Sequence, residues 1–171
     1  MHDRFGLRNN LGTEEVGFLQ DDDTLTVKVD GVMDLVRDYD VFLFSIHATL
    51  IRNGLTVPSG ASLVPQLRKL DKRVGVFCLS GDACRDDMTA QLNRCGYSIT
   101  NNRVLLRDDL DNLERPFPFV STERVLLVCS DVLNEVAQAK VKGFKSLLID
   151  GNGVLDQKSF RLSPDFVAAS V

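Results

Sequence analysis

Short apolar runs alternate along this chain with segments of helical periodicity, and this alternation is the feature that most restricts its fold. The apolar runs predict five strands, at residues 41–46, 73–80, 103–106, 124–130 and 145–150. Several runs are almost continuously apolar, which is typical of strands covered on both faces of a parallel sheet. Helical spacing of apolar residues predicts helices at 62–71, 84–95 and 132–142, between these strands. The pattern therefore predicts an α/β three-layer sandwich around a five-stranded, mostly parallel sheet.

The length and composition fit one globular domain with a core of its own. The chain has 171 residues, of which 44% are hydrophobic and 26% are charged. That length is too short for two separate cores. The first residues are mostly polar, so we predict an N-terminal arm over residues 1–35 and a core domain over residues 36–171.

Charge, hydropathy and cysteine content restrict the partners and the compartment. The formal net charge is −4, and the basic cluster at 68–73 is interrupted by Asp71. We interpret that cluster as a solvated helix end and expect no sequence-specific nucleic-acid binding. No segment approaches the roughly 18 consecutive apolar residues of a membrane span. The four cysteines have no zinc-binding spacing and predict reduced thiols in an intracellular protein, in the cytoplasm or a mitochondrion.

The residues that follow the predicted strands carry a resemblance to a known family. Ligands of parallel α/β sheets bind at the carboxyl ends of the strands, so these positions are the ones that matter for chemistry. The segments DYDVFLFSIHATL, RVGVFCLSGD, VLLVCSDVLNEVAQAKVKGFKSLLID and LSPDFVAASV follow one another in this order. Together they resemble the haloacid dehalogenase (HAD) superfamily, in the branch of the phosphoglycolate and p-nitrophenyl phosphatases. The resemblance covers residues 36–171 and implies a HAD-like sheet.

The same resemblance implies a set of catalytic positions. Members of the family use an aspartate nucleophile, a second aspartate as general acid and base, a hydroxyl and a cation for the phosphate, and acids for Mg²⁺. In this sequence the nucleophile position is Ser45 and the acid/base position is His47. The remaining positions fall on Ser80 for the hydroxyl, Arg115 for the cation, and Ser130 and Glu135 for the acids.

These replacements predict a loss of the family reaction. Removal of a nucleophile typically lowers the rate by about 10⁴–10⁶. Mg²⁺ would keep Glu135 as its only carboxylate, so we predict no metal site, no Mg²⁺ cofactor and no catalytic residue, and the chain is not expected to be an enzyme. The branch also carries a large cap domain between its second and third motifs. Only about 18 residues separate Gly96 from Arg115, so we predict a protein without a cap.

The function that we expect from this reading is that of an inactive, HAD-like structural or protein-interaction subunit of a larger assembly. Other protein subunits would contact the N-terminal arm and the open strand ends. One alternative is a non-hydrolytic binder or sensor of a phosphorylated small molecule, with Thr49, Ser80 and Arg115 as the anion site. Another is a residual phosphatase that uses Asp131, one position after the expected acid, or a pair formed by Ser45 and His47.

Overall fold

A seven-stranded parallel sheet lies at the centre of the fold, in the order β1-β9-β8-β7-β2-β5-β6. The structure is a computed structural model that describes residues 26–150 and 163–171. The strands of this sheet are β1 (Val27–Lys28), β2 (Val41–Ser45), β5 (Arg73–Cys78), β6 (Val104–Leu106), β7 (Val125–Cys129), β8 (Lys145–Ile149) and β9 (Phe166–Ala168). A separate antiparallel hairpin consists of β3 (Ile51–Arg52) and β4 (Leu55–Thr56).

The five predicted strands are present, and the predicted strand count of the sheet is corrected from five to seven. The two additional strands are β1 and β9, which pair with each other in parallel. They contain two and three residues, respectively. Runs this short contain too few residues to show a periodicity, so only their pairing with neighbouring strands reveals them.

Within the described residues, three α-helices and several short helical turns cover the sheet. They are α1 (Pro58–Lys69), α2 (Arg85–Arg94) and α3 (Ala137–Lys142). Helix α1 begins at Pro58, earlier than the predicted start at residue 62, because a proline at the first helical position lacks only an amide hydrogen that would be unpaired there. Pro65 consequently lies inside α1, where it is exposed. A single wide turn at Val132–Val136 precedes α3, and Gly143 ends α3 with a φ of 76°.

The hydrophobic core occupies both faces of the sheet because successive side chains of a strand point to opposite faces. Phe42 and Phe44 of β2 pack in one cluster with the apolar face of α1 and with Leu92 of α2. Val41 and Leu43 lie in the other cluster, which includes the buried side chains of α3. This arrangement confirms the predicted three-layer α/β sandwich and leaves the carboxyl ends of the central strands at one edge of the core.

Part of the predicted arm belongs to the core. Strand β1 pairs with β9, and Val32 and Leu35 of the following 3-10 helix are buried. The arm prediction for residues 1–25 lies outside the described residues. Between β5 and β7, the described chain forms α2, β6 and short turns and contains no second domain, in agreement with the predicted absence of a cap. No helix within residues 26–150 and 163–171 is long and apolar enough to cross a membrane.

Candidate active site

Two serine hydroxyls meet where the neighbouring strands β2 and β7 end. Ser45 is the last residue of β2, and Ser130 follows directly after β7. The two strands pair in parallel, so their carboxyl ends lie side by side. The Oγ atoms of Ser45 and Ser130 are 3.3 Å apart. Ser45 is only 1% exposed, so this contact lies at the buried end of the site.

Glu135 completes the cluster from the wide turn after β7. Its Oε1 accepts a hydrogen bond from the Oγ of Ser45 at 2.5 Å. Its Oε2 accepts from the backbone N–H of Ser130 at 2.6 Å and from that of Asp131 at 3.2 Å. Both carboxylate oxygens therefore accept hydrogen bonds. The backbone N–H groups of Ser130 and Asp131 orient the side chain of Glu135 toward Ser45.

Burial raises the pKa of Glu135 above its usual value of 4.5, while the hydrogen bonds from Ser45 and from the backbone N–H groups act in the opposite direction. The net direction is upward because the carboxyl group is largely removed from water. A carboxylate with a raised pKa binds a proton more readily than an exposed glutamate does. The cluster therefore pairs a buried hydroxyl with a strengthened base.

Asp131 occupies a different position from the one proposed for it in the residual-phosphatase alternative. Its Oδ1 accepts hydrogen bonds from the backbone N–H of Leu133 at 2.8 Å and of Asn134 at 3.3 Å. Its Oδ2 accepts from the Nδ2 of Asn134 at 2.6 Å. Asp131 is thus the N-cap of the turn that carries Glu135. The structure places its carboxylate at the start of the helix and gives it no contact with Ser45 among the described residues.

The turn after β2 positions Thr49 and His47. The hydroxyl of Thr49 donates to the backbone carbonyl of Ser45, and Thr49 is buried. His47 is exposed, and its carbonyl oxygen lies 3.5 Å from the Oγ of Ser45. Ala48 between them has a φ of 67°, which turns the chain sharply. The hydroxyl of Ser45 donates its shorter hydrogen bond to Glu135 and not to His47. The imidazole of His47 has no hydrogen-bond partner among the described residues.

Ser80 and Arg115, the other predicted phosphate-binding residues, share no hydrogen bond with this cluster within the described part of the chain. The hydroxyl of Ser80 donates to the carboxylate of Asp82, and both residues are exposed. Arg115 lines an open cleft of about 680 Å³ together with Arg85 and Asp109, whose side chains form an ion pair at 2.6 Å. Thr49 and Ser80 are not part of the lining of that cleft. The anion site predicted from these three residues remains a prediction.

The residues at the strand ends do not match the requirements of Mg²⁺. This ion takes oxygen ligands in octahedral geometry and is usually held by carboxylates. Ser45, Ser130 and Glu135 supply a single carboxylate, and both of its oxygens already accept hydrogen bonds. Within residues 26–150 and 163–171, no three His, Cys, Asp or Glu side chains are grouped so that they could hold a metal ion. The loss of the Mg²⁺ cofactor stays a prediction.

Solved structures of phosphatases share this fold. A 4-nitrophenylphosphatase of Thermotoga maritima matches 80% of this chain and 96% of its own, with 11% identity and a TM-score of 0.63. A possible sugar phosphatase of the HAD superfamily from Cytophaga hutchinsonii matches 84% of this chain and 98% of its own, with 9% identity and a TM-score of 0.67. A thermostable NPPase variant from Geobacillus stearothermophilus matches 78% of this chain and 96% of its own, with 8% identity and a TM-score of 0.63.

These neighbours confirm the HAD-like fold and the resemblance to the p-nitrophenyl phosphatase branch. No family model and no curated protein matches the chain. The prediction that the chain is not an enzyme is wrong on this comparison, because the solved proteins that share its fold are phosphatases. The contact between Ser45 and Glu135 was not among the predictions from the sequence.

Proposed function

We propose that this protein hydrolyses phosphate monoesters, with Ser45 as the nucleophile and Glu135 as the general base. The observation that carries the proposal is the 2.5 Å hydrogen bond from the Ser45 hydroxyl to the Glu135 carboxylate at the carboxyl ends of β2 and β7. A hydroxyl is a weak nucleophile until an adjacent base removes its proton. The phosphatase fold of the structural neighbours supports the choice of substrate class.

The proposed reaction has two steps. In the first, the Oγ of Ser45 attacks phosphorus while its proton moves to Glu135, and the bond between phosphorus and the leaving oxygen breaks. The leaving oxygen takes up a proton, for which the exposed imidazole of His47 is the nearest titratable group along the chain. In the second step, water attacks the phosphoserine and gives its proton to His47, which replaces the proton that went to the leaving oxygen. Glu135 returns the first proton to the oxygen of Ser45 as the bond to phosphorus breaks, which restores the hydroxyl and releases phosphate.

Two features of the site limit the rate and the substrates. The described hydrogen-bond partners of Ser45 include no cationic side chain that would stabilise the charge developing on the phosphoryl group, so we expect slow turnover. Because Ser45 is 1% exposed, a phosphoryl group reaches its hydroxyl only when the surrounding residues move. We therefore expect small esters to react faster than bulky ones.

The test is hydrolysis of p-nitrophenyl phosphate by the purified chain and by matched variants. Ser45→Ala should reduce the rate to the buffer blank. Glu135→Gln should lower it by about 10²–10⁴, the contribution of a general base. Ser121→Ala is the control, because this exposed serine makes no side-chain capping bond, and it should keep the full rate. Absence of hydrolysis in the unaltered protein, or full activity in Ser45→Ala, would overturn the proposal.

A second candidate is a protein-interaction role at the open strand ends. Its support is the exposure of Leu133, which is 70% exposed in the turn beside the Ser45 cluster. Large apolar side chains that remain in water favour a protein partner when they form a patch. Size fractionation of the protein from its native source tests this role, because a subunit of an assembly would elute far above 19.0 kDa. A monomeric elution would count against it.

A further inference from the structure

Four basic side chains line a small pocket at the opposite end of the sheet from Ser45. The pocket has a volume of about 230 Å³, and the cations are those of Arg68, Lys72, Arg73 and Arg103. Arg73 is the first residue of β5, and Arg103 directly precedes β6. Since β5 and β6 are parallel, both arginines lie at the amino ends of their strands. The pocket is thus separate from the candidate active site at the carboxyl ends.

The charges of this basic pocket are poorly neutralised. Arg68 donates to the carbonyls of Tyr97 and Ser98, each at 3.1 Å, and Arg73 donates to the carbonyl of Pro118 at 2.7 Å. These acceptors are uncharged. Ion pairs in the described part of the chain involve none of the three arginines. The one pocket cation with an acid beside it is Lys72, whose Nζ lies 3.6 Å from Asp40.

Arg103 is the side chain that most clearly lacks a partner. Its Nη1 is buried and has no hydrogen-bond partner among the described residues. The guanidinium carbon lies 4.3 Å from the centre of the Phe117 ring, and this contact fixes the plane of the group. Burial, followed by repulsion from Arg73 and Arg68, lowers the pKa of Arg103. A buried donor without an acceptor is costly, and Arg103 lines the basic pocket with the other three cations.

We propose that the basic pocket binds a small, multiply charged oxyanion of the phosphate type. Guanidinium groups donate paired hydrogen bonds that match the oxygens of phosphate. The exposed residues Ser98 and Thr100 also line the pocket and add hydroxyl groups at its rim. A volume of about 230 Å³ corresponds to roughly eight water molecules, which suits a phosphate or pyrophosphate ion and is small for a whole nucleotide.

The basic cluster at 68–73, which we interpreted from the sequence as a solvated helix end, contributes to this pocket. Three of its residues, Arg68, Lys72 and Arg73, join Arg103 from a distant part of the sequence. The sequence predicts each charge, but only the pairing of β5 with β6 brings the fourth cation to the other three. This proposal does not depend on the proposed hydrolase activity, because no residue is shared between the two sites.

The test is isothermal titration of the whole chain with inorganic phosphate and with pyrophosphate, at constant ionic strength set with chloride. Arg103→Gln should weaken binding by about tenfold or more, since a hydrogen bond to a charged group is worth at least one tenfold step. Arg68→Gln, which changes an exposed side chain and spares the core, should weaken it similarly. Arg94→Gln alters an exposed arginine of α2 outside the pocket and should leave affinity within about twofold.

Two further measurements distinguish anion binding in this pocket from anion binding elsewhere on the protein. Ser45→Ala should leave the binding of pyrophosphate unchanged, whereas a loss of binding there would assign the anion to the candidate active site and overturn the proposal. A short single-stranded oligonucleotide should not displace pyrophosphate, and displacement at lower concentration than free phosphate would identify a nucleic-acid surface instead. Absence of measurable binding by the unaltered chain would also refute it, as would an affinity of Arg103→Gln and Arg68→Gln equal to that of the unaltered chain.

Discussion

Replacement of Glu135 tests whether the polar cluster at the strand ends depends on a carboxylate or only on an acceptor. Glu135→Ala removes the acceptor of the Ser45 hydroxyl and of the backbone N–H groups of Ser130 and Asp131. Glu135→Gln keeps the shape of the side chain. Its oxygen can still accept from Ser130, and its amide nitrogen can donate to the Oγ of Ser45.

The expected difference in stability follows from these hydrogen bonds. A buried donor without an acceptor costs about 1–3 kcal/mol. The N–H of Ser130 loses its bond of 2.6 Å completely, while Ser45 keeps the Oγ of Ser130 at 3.3 Å as a weaker partner. We therefore expect Glu135→Ala to lower the free energy of unfolding by about 2–4 kcal/mol, and Glu135→Gln to change it by less than about 1 kcal/mol. For a chain of this size, that loss lowers Tm by roughly 4–16 °C.

The pH dependence of the free energy of unfolding should differ between the unaltered protein, which has a carboxylate at position 135, and Glu135→Gln, which has an amide there. Because burial raises the pKa of Glu135 in the folded protein, the folded state retains a proton that the unfolded chain has released above a pH of about 4.5. The stability of the unaltered protein should therefore fall as the pH rises through this window, up to the raised pKa. Glu135→Gln lacks this titration, so it should gain stability relative to the unaltered protein over the same range.

Thermal unfolding followed by circular dichroism, at several pH values between 4 and 8, measures both effects. Equal Tm values for Glu135→Ala and Glu135→Gln would refute the role assigned to the acceptor. A pH-independent difference between Glu135→Gln and the unaltered protein would refute the raised pKa. The two results are independent, because the first depends on hydrogen bonding and the second on desolvation of the charge.

Two further predictions concern packing around the sheet. Gly75→Ala should destabilise the fold by about 1–3 kcal/mol, because a Cβ there would lie 2.7 Å from the ring of Phe117. Gly81→Ala, where a Cβ would meet nothing within 4 Å, is the matched control in urea unfolding. Tyr97→Phe should cost about 1 kcal/mol, because it removes the 2.6 Å hydrogen bond from the tyrosine hydroxyl to the carbonyl of Leu50. An unchanged urea midpoint in Tyr97→Phe would show that this bond contributes nothing net.

The central strands were predictable because their apolar runs are long enough to require burial on both faces. Strand β2 illustrates this, since every residue from Val41 to Ser45 is buried between the two helical layers. Strands β1 and β9 were not predictable, because they are too short to show a periodicity and are identified only by their pairing with segments distant in sequence. Residues 26–35 were likewise assigned to the arm, although Val32 and Leu35 are buried in the fold.

The candidate site was also predictable from the sequence only in part. The resemblance to the HAD superfamily identified Ser45, His47, Ser130 and Glu135 as the motif positions. It did not show which of Glu135 and Asp131 would contact Ser45. That choice depends on the turn after β7, in which Asp131 caps the helix and Glu135 reaches Ser45 across 90 positions of the chain.

The sequence by itself determined the class of fold, the order of the central strands and helices, and the loss of aspartates at the strand ends. These properties are local, since they depend on periodicity and on residue type at each position. Only the tertiary structure decided which side chains meet, as in the bond between Ser45 and Glu135 and the gathering of Arg103 with Arg68 and Arg73. Such contacts join residues that are close only after parallel strands pair, and no local pattern in the chain encodes their geometry.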